Sequence, residues 1–284
     1  MKNKNHNRDL PNFLIIGAMK AGTTTLYDDL QGQQGVAFPP EKEPEDLAHD
    51  RILTEAGLAD YKRKFAGLTA ELIGEGSTAY TKRPDSSAAE TALSVLGPDL
   101  KLIYLLRDPI GRMISHYKHE YGLGRETRDL NTALRETSAY RDYSRYSWQL
   151  EPWQALFGND NILILHFEDY MADRKAGLQK ACDFLGAGPV EKSPSGARNV
   201  SDGKAVTRRG SFAHRFSKSR FYQYQIKPLL GNALRDRLKK LVSRKVVLQP
   251  MQLEPALRSE LEAFFATDLL ASQASRRNGP SQQR

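Results

Sequence analysis

Four consecutive apolar residues, Phe13-Leu14-Ile15-Ile16, run directly into Gly17-Ala18-Met19-Lys20-Ala21-Gly22 and then into a helical pattern opening with Thr23-Thr24-Thr25-Leu26. A short apolar run without alternation marks a strand buried on both faces, as in a parallel sheet. Two glycines bracketing a lysine, between a strand and a helix, form a loop that turns backbone N–H groups toward an anion. The loop delivers that anion to a helix N-terminus, where the dipole and unpaired amides favour negative charge. This feature commits the chain to an α/β architecture with an anion cradle at the end of its first strand. A Walker A loop would place lysine immediately after the second glycine; here that position is Thr23 and the lysine lies inside the loop, at Lys20. The spacing argues against a nucleoside-triphosphate enzyme.

Further short apolar runs at 102–106 and 162–167 read as strands of the same sheet, and Leu72-Ile73 begins a fourth. Helical periodicity falls at 23–30, 86–96, 110–121, 147–156, 174–185 and 257–270, and the alternation of strand, loop and helix is the α/β signature. Neither an internal repeat nor a Pro/Gly/Ser-rich linker interrupts 11–271. The expectation is one domain over 1–284: a P-loop-like parallel sheet flanked by helices, with flexible tails at 1–10 and 272–284.

A second anion site is written after the strand at 102–106. Where a Walker B strand would end in a metal-binding aspartate, the chain reads Arg107-Asp108-Pro109. Pro109 suits the first turn of a helix, and Ser115 lies about two turns along it. Arg107 thus stands at the carboxyl end of a strand, where open α/β sheets bind ligands. Together Arg107 and Ser115 can grip a second phosphate; the structural alternative is an arginine paired with a neighbouring carboxylate.

The formal charge is +8, but residues 201–250 alone carry 13 Lys and Arg against Asp202 and Asp236, leaving the remainder slightly acidic. Such a segment implies an anionic partner or the solvated faces of helices around 212–225 and 232–245. Cys182 is the single cysteine and sits in an apolar helical pattern, so no intramolecular disulfide forms and the cytosol is the expected compartment. No apolar run approaches the length of a membrane helix, and Phe13 to Met19 is too short for a signal peptide.

These residues resemble the PAPS-dependent sulfotransferases, in the branch of the heparan sulfate sulfotransferases and their bacterial relatives. PNFLIIGAMKAGTTTLYDDL resembles the 5′-phosphosulfate loop, and LIYLLRDPIGRMISHYKHEY resembles the 3′-phosphate motif with Arg107 and Ser115 at its usual spacing. Weaker matches accompany them: Pro40-Glu41-Lys42-Glu43-Pro44, the GEGSTAY segment from Gly74 to Tyr80, Ile162 to Tyr170, and the basic loop Thr207-Arg208-Arg209-Gly210. The resemblance implies PAPS as sulfuryl donor, with no metal. Lys20, Ala21, Gly22, Thr23, Thr24 and Thr25 would hold its 5′ end, Arg107 and Ser115 its 3′-phosphate, and Arg208, Arg209 and Gly210 would close over the nucleotide. Lys20 would stabilise the leaving phosphate and Glu43 would be the base, with His116 the rival for that role.

The implied partner is a hydroxyl-bearing acceptor: a carbohydrate, a lipid or a secondary metabolite. Heparan-type enzymes carry a lysine just before the serine of the GEGSTAY-like segment, and here that position is Gly76, which counts against a highly sulfated polysaccharide. Tyr80, Tyr140, Tyr143, Tyr146 and Trp148 are candidates to line an acceptor cleft or to fill the core. Two other functions compete: a P-loop kinase using ATP, and a non-catalytic binder of nucleic acid or another polyanion through 201–250.

Overall fold

The computed structural model describes residues 9–194, 206–207, 243–244 and 251–276. Five strands, β1 (Phe13–Gly17), β2 (Val36–Ala37), β3 (Leu72–Gly76), β4 (Lys101–Leu106) and β5 (Ile162–His166), form one sheet in the order β2-β3-β1-β4-β5, every pair parallel. All five residues of β1 are buried, as its unbroken apolar run requires of a strand covered on both faces. From β1 the chain moves toward β2, whereas from β4 it moves toward β5. The connections therefore diverge between β1 and β4, the place where open sheets present a ligand crevice.

The helices are α1 (Thr23–Gln31), α2 (Glu55–Phe65), α3 (Ala88–Leu96), α4 (Pro109–Gly122), α5 (Leu130–Glu136), α6 (Ser138–Asp142), α7 (Tyr146–Phe157), α8 (Phe167–Ala172) and α9 (Arg174–Leu185), with α10 (Pro255–Ala266) and α11 (Leu269–Arg276) following the basic segment. Cys182 is buried on α9. No helix among the described residues is long and apolar enough to cross a membrane.

Several expectations need correction. Phe167 opens α8 instead of ending β5. The helix expected over 257–270 breaks at Thr267 and Asp268, because the Asp268 carboxylate accepts from the Ala271 N–H at 2.9 Å and from the Ser147 N–H and hydroxyl, capping a new helix and pinning it to α7. That helix, α11, runs to Arg276, into the stretch expected to be a flexible tail. Ser243 and Arg244 form a strand, β7, antiparallel to β6 (Val206–Thr207), where the end of a helix was expected.

Candidate active site

The cradle is shaped from below. Between Ile15 and Gly17 the register of β1 against β4 slips, a bulge that redirects the chain as it leaves the sheet. The Ala18 N–H donates to the Leu105 carbonyl at 3.0 Å and the Ala21 N–H to Ala18 at 3.0 Å, which fastens the loop to the end of β4. Lys20 takes a left-handed conformation, φ 69°, and Gly22, at φ 89°, is the N-cap of α1. The Thr25 and Leu26 N–H groups fold back onto the Gly22 carbonyl at 2.9 and 3.2 Å. The Thr23 and Thr24 amides lead the helix and have no intrahelical carbonyl to reach, which leaves them for an anion. Thr23 and Thr25 are buried and Thr24 is half-buried.

One strand away, the Arg107 Nη1 donates to the Lys20 carbonyl at 3.0 Å, and the guanidinium lies over the Phe167 ring at 4.6 Å. Its own carbonyl accepts from the Tyr146 hydroxyl at 2.7 Å. Burial pulls the Arg107 pKa down, opposed chiefly by nearby Glu168, yet the guanidinium forms no direct ion pair among the described residues. The carboxylate beside it is committed elsewhere: Asp108 Oδ2 accepts from the Gly111 N–H at 2.7 Å and caps α4. A half-buried cation held by a carbonyl and a ring, without a carboxylate of its own, has the chemistry of a phosphate site. Ser115 is half-buried on α4, one helical turn beyond Arg112.

Arg112, which the sequence reading did not single out, is wholly buried and donates to the Ser144 hydroxyl, to the Tyr140 carbonyl at 2.6 Å and to the Met19 carbonyl at 3.4 Å. It braces the cradle from beneath. Nothing in the sequence set it apart, because no pattern distinguishes a buried arginine from a solvated one.

On the other side of β1, the Glu43 N–H donates to the Gly76 carbonyl at 3.2 Å, where β3 ends, and the Thr78 hydroxyl donates to Glu43 Oε2 at 3.4 Å. Glu43 is exposed, with φ 54°. Its neighbour Lys42 lies over the Tyr27 ring at 5.2 Å, and burial lowers its pKa. Neighbouring strands are about 4.8 Å apart, so Glu43 at β3, the cradle at β1 and Arg107 at β4 share a strip roughly 10 Å wide at the carboxyl edge of the sheet.

His116 is buried on the inner face of α4, with its ring 4.7 Å from Tyr140 and stacked at 5.7 Å on Tyr143. Burial and the neighbouring Arg112 lower its pKa to about 2, so it is neutral at physiological pH, and its Nδ1 has no partner among the described residues. Of the five aromatic candidates, Tyr80, Tyr140 and Tyr146 are core, while Tyr143 and Trp148 keep exposed surface. Arg208, Arg209 and Gly210 lie outside the described residues, as does most of the basic segment.

The geometry has a counterpart among known proteins. The model of a family described as "Sulfotransferase family" matches residues 11–189. Carbohydrate sulfotransferase 15 of Mus musculus is 27% identical over 253 residues, 65% of this chain and 45% of that protein. Heparan sulfate glucosamine 3-O-sulfotransferase 3A1 of Mus musculus is 28% identical over 192 residues, 63% of this chain and 46% of its own length. The chain thus spans about half the length of the curated relatives it matches. Among solved structures, a sulfotransferase from Alicyclobacillus acidocaldarius superposes with a TM-score of 0.65 at 23% identity, over 93% of this chain and 94% of that one, which shows the fold. With the family model covering well over half of its residues, this chain belongs to the sulfotransferase family.

Proposed function

We propose that the protein transfers a sulfuryl group from PAPS to a hydroxyl of a carbohydrate, lipid or small-molecule acceptor. The observation that carries the reading is the pairing of two anion sites on adjacent strands, the Thr23–Thr24 amides after β1 and Arg107 after β4, joined by the hydrogen bond from Arg107 to the Lys20 carbonyl. PAPS requires such a pair, for a 5′-phosphosulfate and a 3′-phosphate. Carbohydrate is the acceptor class that the names of the relatives favour, and Gly76 in place of a lysine favours one that is not densely sulfated. Tyr143, half-buried with His116 stacked against it, is the aromatic candidate for contact with a sugar, since the Trp148 ring already carries Arg83 at 4.7 Å and Arg145 at 4.4 Å.

In this reading Glu43 accepts the proton of the attacking hydroxyl as its oxygen bonds to sulfur. The bond from sulfur to the bridging oxygen breaks, and adenosine 3′,5′-bisphosphate leaves with that oxygen and its charge. Lys20 and the amides of Thr23 and Thr24 stabilise the charge developing on the leaving phosphate. Arg107 and Ser115 hold the 3′-phosphate, and Arg208, Arg209 and Gly210 are proposed to cover it. The isolation of His116 between two tyrosines, in an environment that disfavours its charged form, supports Glu43 over His116 as base. The single, buried Cys182 supports a reducing compartment, and we place the enzyme in the cytosol.

Two measurements test the reading. Adenosine 3′,5′-bisphosphate should raise the melting temperature where ADP with Mg²⁺ does not, and radiolabelled PAPS should label members of an acceptor panel of glycans, lipids and alcohols. Stabilisation by ADP with Mg²⁺ alone would favour a kinase. Salt-dependent retention of RNA or DNA with no sulfate transfer would favour a polyanion binder.

A further inference from the structure

Glu75 lies inside β3 between two glycines, wholly inaccessible to solvent, and the chemistry above makes no use of it. Burying a carboxylate is unfavourable unless its oxygens are satisfied. Here Oε2 accepts from the Tyr61 hydroxyl on α2, and Oε1 accepts from the Tyr80 hydroxyl. The Tyr80 oxygen also accepts the Leu47 N–H at 3.5 Å, from the short helical turn just after Glu43. The residue following Glu75, Gly76, gives its carbonyl to the Glu43 N–H at 3.2 Å. The loop that carries Glu43 is therefore tethered at Glu43 itself, to the strand residue next to Glu75, and at Leu47, through the phenol that Glu75 holds.

The loop needs such a hold. Glu43 stands at φ 54°, which non-glycine residues disfavour, and Pro44 biases the residue before it toward extended backbone. Local sequence thus opposes the conformation observed, and tertiary contacts impose it. We infer that Glu75 is a positioning residue for the base: clamped by Tyr61 and Tyr80, its carboxylate holds the Glu43 loop in the conformation that presents Glu43 beside the cradle. The inference rests on the assignment of Glu43 as base.

Protonation should loosen the clamp. The groups facing Glu75 are Tyr61 and Lys64 on α2, Tyr80, Asp46 in the turn with Leu47, and Tyr27 on α1; Lys64 is itself paired with Asp46 at 2.6 Å and Glu41 at 3.0 Å. Burial pushes the Glu75 pKa up to about 7 against the pull of the two phenols. Only the ionised carboxylate accepts from both. Once protonated it must donate to one of them, which leaves a buried phenol hydrogen without an acceptor.

The test is Glu75→Gln, which keeps the shape but not the charge, with Tyr61→Phe as a milder second variant should the first not fold. Expected for Glu75→Gln is a loss of kcat on the order of 10²-fold, the scale of a small misplacement at a reacting centre, with affinity for adenosine 3′,5′-bisphosphate unchanged. Hydrogen exchange should quicken in 42–48 and stay constant in 17–26. Wild-type kcat should rise as the pH is raised through about 7, and that rise should be absent in the variant. Wild-type kcat and pH profile in both variants, or a fall in kcat matched by loss of nucleotide binding, would overturn the clamp. A wild-type enzyme that transfers no sulfate from PAPS would instead overturn the base assignment and the inference with it, a failure visible without any variant.

Discussion

Replacing Gly22 by alanine perturbs the cradle and the arginine site at once. Gly22 has φ 89°, a region that disfavours an L side chain by roughly 1–2 kcal/mol. A Cβ there would lie 2.7 Å from Phe167 Cδ2 and 3.0 Å from Cε2, inside van der Waals contact, and forcing such overlap in a packed site costs about 1–3 kcal/mol. The sum is about 2–5 kcal/mol of stability, or a fall in Tm of roughly 3–8 °C for a chain of this size. Phe167 is also the ring beneath Arg107, at 4.6 Å, so any displacement moves the guanidinium and weakens nucleotide binding beyond the damage to the loop. Thermal melts and calorimetric titration with adenosine 3′,5′-bisphosphate measure the two effects. A cycle with Phe167→Leu separates them, because shrinking the ring should relieve the overlap but not the φ penalty, giving a favourable coupling of about 1 kcal/mol or more. A Gly22→Ala protein within about 0.5 kcal/mol of wild type, or a cycle with no coupling, would refute the reasoning.

Arg107→Ala should weaken adenosine 3′,5′-bisphosphate by about 1.5–3 kcal/mol and adenosine 5′-phosphosulfate by less, since its link to the Lys20 carbonyl makes only an indirect contribution to the 5′ site; calorimetry with both ligands checks the difference. Glu43→Gln should lower kcat by about 10²–10⁴-fold at unchanged nucleotide affinity, measured by sulfate transfer from PAPS at saturating acceptor. His116 and Glu75 should give opposite pH dependences of stability. His116, held near a pKa of about 2, binds fewer protons folded than unfolded below its ordinary pKa of about 6.5, so its contribution falls by about 2 kcal/mol from pH 7 to pH 5. Glu75, raised to about 7, binds more protons folded than unfolded, so its contribution rises by about 2 kcal/mol over the same descent. Relative to wild type, urea melts of Glu75→Gln should therefore gain stability from pH 5 to pH 7 and those of His116→Asn should lose it; parallel curves for the three proteins would contradict both shifts.

Local patterns carried what depends on neighbours in the chain. The apolar run from Phe13 to Ile16, the spacing of Gly17 and Gly22 around Lys20, and the cation at Arg107 after a second apolar run specify a parallel sheet with two anion sites, because burial and loop geometry are written in consecutive residues. The helix over 174–185 could be read to the residue for the same reason. Long-range packing decided the rest. That Arg107 reaches the Lys20 carbonyl, that Phe167 lies under Arg107 and against Gly22, and that Arg112 braces Met19 all depend on strand order, which brings β1, β4 and β5 side by side. The break at Asp268 needed Ser147, 121 residues away, to make the cap. Glu75 is the clearest case: between two glycines it looks like an ordinary charged residue, and only the convergence of Tyr61 and Tyr80 on a buried strand makes its ionisation a property of the site. A charge in a sequence has no fixed environment, and the fold supplies the dielectric and the partners that determine what it does.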